Sequence, residues 1–128
     1  MADVNRGNRP LSPHLQVYRL PMTAKLSILH RITGAGLTLG ALLAVWQFIA
    51  AAIGPDYSDF VDGLLASILG QLILIGCLWA LSYHAINGLR HLWWDMGKGF
   101  DLEFTAKANY VVLGGSVVLT LIFILAIW

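Results

Sequence analysis

Residues 27–53 read SILHRITGAGLTLGALLAVWQFIAAAI, and this stretch decides the class of fold. Its last 22 residues, Ile32–Ile53, contain no Asp, Glu, Lys or Arg. A helix needs roughly 20 apolar residues to cross the hydrocarbon core of a bilayer. The stretch therefore predicts a transmembrane helix, and the serine, histidine and arginine at its start need an explanation of their own.

Two further runs share this character, since Gly63–Leu89 (27 residues) and Ala108–Trp128 (21 residues) also lack charged side chains. The chain is 58% hydrophobic over 128 residues and has a mean hydropathy of +0.72. A soluble domain of this size cannot bury so much apolar surface. We therefore predict an all-α membrane protein with three transmembrane helices. The spans are predicted at about 27–53, 61–92 and 107–128, and we expect a single membrane-anchor domain over 1–128.

The basic residues are strongly sorted along the chain. All eight precede or begin the first span or lie between the second and third: Arg6, Arg9, Arg19, Lys25, Arg31, Arg90, Lys98 and Lys107. The first loop, GPDYSDFVD, has three aspartates and no basic residue. The positive-inside rule then predicts an N-terminal arm on the cytoplasmic side and a C-terminus outside. Because topology accounts for the basic residues, we expect a lipid bilayer and no nucleic acid as a partner.

The arm has no apolar core of the kind that secretory signals carry. With no presequence before it, we expect a multi-pass protein of the bacterial inner membrane, and the mitochondrial inner membrane is the alternative. The lone Cys77 excludes an internal disulfide and the C-x-x-C-H attachment of c-type haem.

Residues 83–95, YHAINGLRHLWWD, place His84, Gly88, His91 and Asp95 on one helical face. His84 lies ten residues before Trp94, which is about 15 Å deeper at 1.5 Å per residue. A neutral imidazole at this depth can ligate haem iron, and a glycine one turn on leaves room for the porphyrin. His91 and Arg90 would then meet the propionates. The alternative is a histidine hydrogen-bonded to another helix, with a glycine used for packing.

Ser27, His30 and Arg31 come from the same inner side and share one broad helical face. Such a cluster suits a headgroup with carbonyl acceptors or the carboxylates of a cofactor. The alternative for Arg31 is snorkelling to the phosphate headgroups of the bilayer.

Two separated blocks carry a family resemblance: RPLSPHLQVYRLPMTAKLSILHRITG at 9–34 and SYHAINGLRHLWWDMG at 82–97. Together with three spans they resemble the cytochrome b subunit of succinate dehydrogenase, its larger membrane-anchor subunit. The resemblance implies that His84 is an axial ligand of haem b iron, with the other ligand from the smaller anchor subunit. It also implies that Ser27 and Arg31 line the ubiquinone site, that His30 and His91 lie near the haem propionates, and that Arg31 serves both sites.

The implied function is to anchor a flavoprotein subunit and an iron–sulfur subunit and to help form the site where ubiquinone is reduced. The chain has no flavin motif and no cysteine cluster, so it is not an enzyme on its own. Other readings stay open at this stage. They are a fumarate reductase anchor, a haem-free structural membrane protein, and an ion or proton carrier. The last is less favoured, because a carrier needs polar residues along the whole span and the outer halves of these spans have almost none.

Overall fold

The computed structural model describes Gly7, His14 and residues 18–127, and the described residues form four helices and no strand. These are α1 (Met22–Ile53), α2 (Pro55–Ala66), α3 (Ile68–Asp95) and α4 (Leu102–Ile127). α1, α3 and α4 have 32, 28 and 26 residues and are long and apolar enough to cross a membrane. The prediction of an all-α protein with three spans is confirmed. Most of the N-terminal arm lies outside the described residues, and its cytoplasmic placement stays a prediction.

The predicted second span, 61–92, was wrong at its outer end, because the chain breaks at Ser67 and forms two helices. The Ser67 hydroxyl donates a hydrogen bond to the Leu64 carbonyl (2.6 Å) and accepts one from the Gly70 N–H (3.1 Å). It thereby caps the start of α3 and takes over backbone groups that a continuous helix would pair internally. Gly70 is required at this junction, since a Cβ there would collide with the carbonyl oxygens of Leu64 and Leu65.

The short helix α2 is tied to the outer end of α1 by two hydrogen bonds. Trp46 Nε1 donates to Tyr57 Oη (2.9 Å), and Gln47 Nε2 donates to Asp62 Oδ1 (2.6 Å). Val61 of α2 is fully buried. The aspartate-rich loop of the sequence is therefore an ordered helix that packs against the first and third helices.

Helix α3 lies between α1 and α4 and makes the contacts that hold the bundle together. Leu26, Tyr83 and Val112, one from each of these helices, form the buried core cluster. Tyr83 Oη donates to the Leu26 carbonyl at 2.8 Å. Farther out, a Cβ on Gly40 would lie 3.2 Å from Cys77 Sγ, so the glycine lets α1 approach α3 closely.

The buried serine and threonine hydroxyls donate their hydrogen bonds within their own helices. Four of them donate to a carbonyl three or four residues earlier: Thr33, Ser82, Ser116 and Thr120. Large apolar side chains project outward along α1, α3 and α4. This arrangement satisfies polar groups inside the bundle and presents a hydrocarbon-like surface to lipid.

The α3–α4 connection turns sharply at Gly97 and Gly99, whose φ angles of +74° and +78° favour glycine. Trp94 Nε1 and Thr105 Oγ1 both donate to the Gly99 carbonyl at 3.1 Å. The turn fixes the C-terminal end of α3, the helix that carries His84 and His91, against the start of α4.

Candidate functional site

Three histidines from α1 and α3 come together near the end of the bundle where α1 begins and α3 ends. The rings of His30 and His84 are stacked, with centroids 3.8 Å apart and planes 11° from parallel. The His91 ring lies 5.1 Å from that of His30, and its own edge contacts Trp94. All three histidines are half-buried. The structure therefore brings together His30, His84 and His91, which the sequence singled out on two separate helices.

The imidazole of His84 has a defined orientation. Its Nδ1 lies 3.2 Å from the carbonyl oxygen of His30 and 3.4 Å from Thr33 Oγ1. A carbonyl oxygen only accepts hydrogen bonds, so Nδ1 carries the proton and donates it. The lone pair then resides on Nε2, which makes no hydrogen bond to any described residue. A metal-ligating histidine usually donates its other ring N–H to a carbonyl oxygen in this way, which fixes the orientation of the ring.

Two glycines shape the space around His84. A Cβ on Gly34 would lie 3.0 Å from His84 Cε1, so this α1 position must lack a side chain if the ring is to keep its place. A Cβ on Gly88 would meet nothing within 4 Å. Gly34 thus lets the imidazole of His84 pack directly against α1, whereas Gly88 leaves open surface one turn from His84.

These features fit a haem. The described residues hold no group of three or more His, Cys, Asp or Glu able to bind a metal ion by themselves. A porphyrin supplies four nitrogens to its iron, so a single imidazole with a free ring nitrogen, as at Nε2 of His84, is a sufficient donor set for this chain to offer. The open surface at Gly88 suits a flat ring. His30 lies beside both His84 and His91 in the same cluster.

Arg90 is almost fully buried, at 7% exposed, and contacts two neighbours. Its Nη1 donates to Asn109 Oδ1 of α4 at 2.6 Å, and its guanidinium lies 4.7 Å from the centroid of the Trp94 ring. No carboxylate within ion-pair distance of Arg90 occurs in residues 18–127. The sequence predicted Arg90 near the propionates with His91. The structure turns it toward α4 and leaves His91 as the nearer neighbour of the histidine stack.

Ser27 and Arg31 lie one turn apart on α1, next to the histidine stack rather than in it. Ser27 is half-buried and Arg31 is exposed. Within the described chain neither side chain makes a hydrogen bond or ion pair, so their donors are free for a ligand or another subunit. Their grouping at one end of α1 agrees with the predicted face, and no ligand role follows from contacts within this chain.

Four other residues belong to this region and were not singled out from the sequence: Thr33, Gly34, Asn87 and Asn109. Thr33 and Gly34 contact His84 across the α1–α3 boundary. Asn87 is fully buried on the same face as His84, and its amide in an otherwise apolar run was a usable signal. Asn109 stands at the start of a charge-free run, where nothing indicates that it meets Arg90.

Comparison with known proteins gives one consistent result. Residues 5–123 match the model of the succinate dehydrogenase/fumarate reductase transmembrane subunit family. The succinate dehydrogenase cytochrome b556 subunit of Paracoccus denitrificans is 51% identical over 122 residues, covering 95% of this chain and 94% of that one. The cytochrome b556 subunit of Rickettsia felis is 35% identical over 114 residues, with 89% of each chain covered. The mitochondrial cytochrome b560 subunit of Sus scrofa is 34% identical over 110 residues, covering 83% of this chain and 64% of that one.

Proposed function

Since the chain belongs to the succinate dehydrogenase/fumarate reductase transmembrane subunit family, we propose that it is the cytochrome b anchor subunit of a succinate dehydrogenase. In this role it holds a flavoprotein and an iron–sulfur subunit at the membrane, shares haem b with a smaller anchor subunit and helps form the ubiquinone site. The relatives compared above are named as succinate dehydrogenase subunits, which favours this direction over a fumarate reductase anchor.

The observation that carries the haem assignment is the orientation of His84. Its Nδ1 is 3.2 Å from the His30 carbonyl, which leaves the Nε2 lone pair for iron. His84 would hold the haem iron through Nε2, and His30, His91 and Arg31 would meet the propionates. When bound, haem b accepts and donates single electrons. The His30 carbonyl holds the imidazole in one tautomer, and Gly34 lets the ring pack against α1.

The haem assignment is tested with His84→Ala in the purified complex. We expect weaker haem retention or a changed spectrum and midpoint potential, because one of two axial ligands is removed. The measurement is a reduced-minus-oxidised visible spectrum with haem content per complex. Haem spectrum, potential and occupancy all equal to the unsubstituted complex would refute the assignment. A complex without any b-type haem would favour the haem-free structural alternative.

The quinone part of the proposal assigns Ser27 and Arg31 to the headgroup. The Ser27 hydroxyl donates a hydrogen bond to a quinone carbonyl oxygen. The Arg31 guanidinium polarises the site and stabilises the negative charge that develops on the quinone oxygen during reduction. Both side chains are free of partners within residues 18–127, and the exposure of Arg31 leaves it open to a ligand held between subunits.

The quinone assignment is tested with Ser27→Ala and Arg31→Leu, because neither change touches the flavin or iron–sulfur centres of the other subunits. Succinate oxidation with an artificial upstream acceptor is expected to persist, while succinate-to-quinone activity falls. Losing one hydrogen bond to a developing charge costs about 3 kcal/mol, on the order of a hundredfold in rate, and Arg31→Leu is expected to be the more damaging change.

A matched control is Thr38→Ala, which removes an exposed hydroxyl of α1 that lies within hydrogen-bond distance only of the Gly34 carbonyl. Haem content is measured in every preparation because Arg31 is also proposed to serve the propionates. Normal quinone reduction rates and affinity in both Ser27→Ala and Arg31→Leu would mean that the two residues only meet the lipid interface.

We place the protein in a bacterial inner membrane with the N-terminus cytoplasmic. The sorting of the basic residues supports this orientation. The described basic residues Arg19, Lys25, Arg31, Arg90, Lys98 and Lys107 all lie at the start of α1, the end of α3, the α3–α4 turn or the start of α4. These positions are the same end of the bundle.

A further inference from the structure

Buried polar atoms without a hydrogen-bond partner are rare in folded proteins, and each calls for an explanation. In the described chain five such side-chain atoms occur, and four of them belong to three residues near the inner end: His30 Nδ1, Asn87 Nδ2, Asn87 Oδ1 and Arg90 Nε. Asn87 is fully buried with both amide atoms unpaired. The fifth, Gln47 Oε1, lies at the outer end.

The three residues lie beside one another. His84, Asn87 and His91 share one face of α3 at offsets of three and seven residues. The His30 ring packs against the two histidines on either side of Asn87, at 3.8 and 5.1 Å between centroids. Asn87 therefore stands at the level of the His30 ring.

Arg90 is three residues beyond Asn87, so the two side chains are neighbours along α3. A helical side chain leans toward the N-terminus of its helix, so the side chain of Arg90 starts out toward the turn that carries Asn87. The guanidinium is held from α4 by Asn109.

The four atoms are complementary in hydrogen-bonding type. Arg90 Nε–H is a donor and Asn87 Oδ1 an acceptor, while Asn87 Nδ2–H is a donor and an unprotonated His30 Nδ1 is an acceptor. We propose that the Asn87 amide bridges Arg90 and His30, with Arg90 Nε–H donating to Oδ1 and Asn87 Nδ2–H donating to His30 Nδ1. With both hydrogen bonds made, none of the four atoms is left unpaired.

The bridge has a chemical consequence for the cofactor site. With Nδ1 of His30 accepting from Asn87, the single proton of the neutral ring resides on Nε2. His30 then presents an N–H donor, which is what a propionate carboxylate requires. Asn87 is thus a positioning residue that acts through His30, and Asn109 and Arg90 anchor the bridge to α4. The part of this inference that concerns propionates rests on the proposed haem function.

The experiment is a double-mutant cycle in the purified complex with Asn87→Leu, His30→Ala and both changes together. The primary readout is the haem midpoint potential. Asn87→Leu is expected to lower it, because a propionate that loses an oriented donor keeps more of its negative charge, and that charge favours ferric iron. If Asn87 acts through His30, the same change causes no further shift in the His30→Ala background. Equal shifts in both backgrounds, or no shift in either, would overturn the proposal.

Ser116→Ala is the matched control, since Ser116 is as deeply buried as Asn87 and its hydroxyl donates to Leu113 of its own helix. It is expected to leave the potential unchanged. A potential shift of the same size in Ser116→Ala would mean that any polar deletion in the core acts alike, and it would overturn the positioning role.

A second measurement does not depend on haem or on any Asn87 variant folding. In the unsubstituted complex labelled with ¹⁵N-histidine, the His30 resonances are assigned by their loss in His30→Ala. The expected pattern is an unprotonated Nδ1 and a protonated Nε2, and a protonated Nδ1 would overturn the bridge. A complex that lacks haem but shows the expected pattern would refute the proposed function and leave the bridge standing.

Discussion

The close packing of the His84 ring against Gly34 can be tested with side chains of increasing size at position 34. A Cβ at position 34 would lie 3.0 Å from His84 Cε1. Carbon atoms in good contact are about 3.5–4.0 Å apart, so the ring must retreat from α1 by about 0.5 Å to accept an alanine. The same movement carries Nδ1 away from the His30 carbonyl, which is one turn earlier on α1 and now 3.2 Å distant. The hydrogen bond is then stretched beyond its useful range.

The size of the effect follows from this loss. A typical net hydrogen bond is worth about 0.5–1.5 kcal/mol, and loss of the group that hydrogen-bonds a metal-ligating histidine typically weakens metal binding about 10- to 100-fold. We expect Gly34→Ala to weaken haem retention about tenfold. Gly34→Val is expected to approach a hundredfold, because its two γ-methyl groups add to the same contact.

The assay measures haem content per complex, the rate of haem transfer to an excess of apomyoglobin, and the visible spectrum. Gly36→Ala and Gly36→Val are matched controls two residues away, because a Cβ on Gly36 meets nothing within 4 Å. These controls are expected to resemble the unsubstituted complex. If Gly34→Val retained and released haem as Gly36→Val does, the residue that packs against Gly34, His84, would not be a haem ligand.

Two predictions concern the fold. Gly70→Ala is expected to destabilise the α2–α3 junction by about 1–3 kcal/mol, because its Cβ would collide with the carbonyl oxygens of Leu64 and Leu65. Thermal unfolding in detergent measures the loss of stability. Gly63→Ala is the control, because a Cβ at position 63 meets nothing within 4 Å. A reporter fused to the C-terminus is expected to be active outside the cytoplasm, because the basic residues sort to the other end of the bundle. Cytoplasmic activity from an intact fusion would contradict the three-span orientation.

The three spans could be predicted from the sequence because absence of charge over 20 or more residues is a direct signature of the bilayer core. The break at Ser67 could not be predicted in this way. The residues around it are as apolar as the rest of the run, and hydropathy does not register a hydroxyl that pairs with Leu64 and Gly70. The second span was therefore predicted to begin several residues too early.

The site divides along the same lines. Helical periodicity places His84 and His91 on one face, since that relation is internal to a single helix. The stacking of His30 on His84 depends on the register between α1 and α3, which the Gly34 contact and the Tyr83–Leu26 hydrogen bond set across the interface. No periodicity within one helix contains that register. The same holds for Asn109, whose partner Arg90 lies 19 residues away on another helix.

The central position of α3 bears on how the protein is made. Among the described residues, every hydrogen bond between two different spans has one partner on α3: Tyr83 with Leu26, His84 with His30 and Thr33, and Arg90 with Asn109. The buried hydroxyls of α1 and α4 are already paired within their own helices, so these two helices need no partner for them when they enter the membrane. Because α3 is synthesised after α1, the contact between His30 and His84 can form only once α3 has entered the membrane. α4 emerges last and closes over Arg90, so a chain truncated after α3 would carry both histidines into the membrane while leaving the arginine without its amide partner.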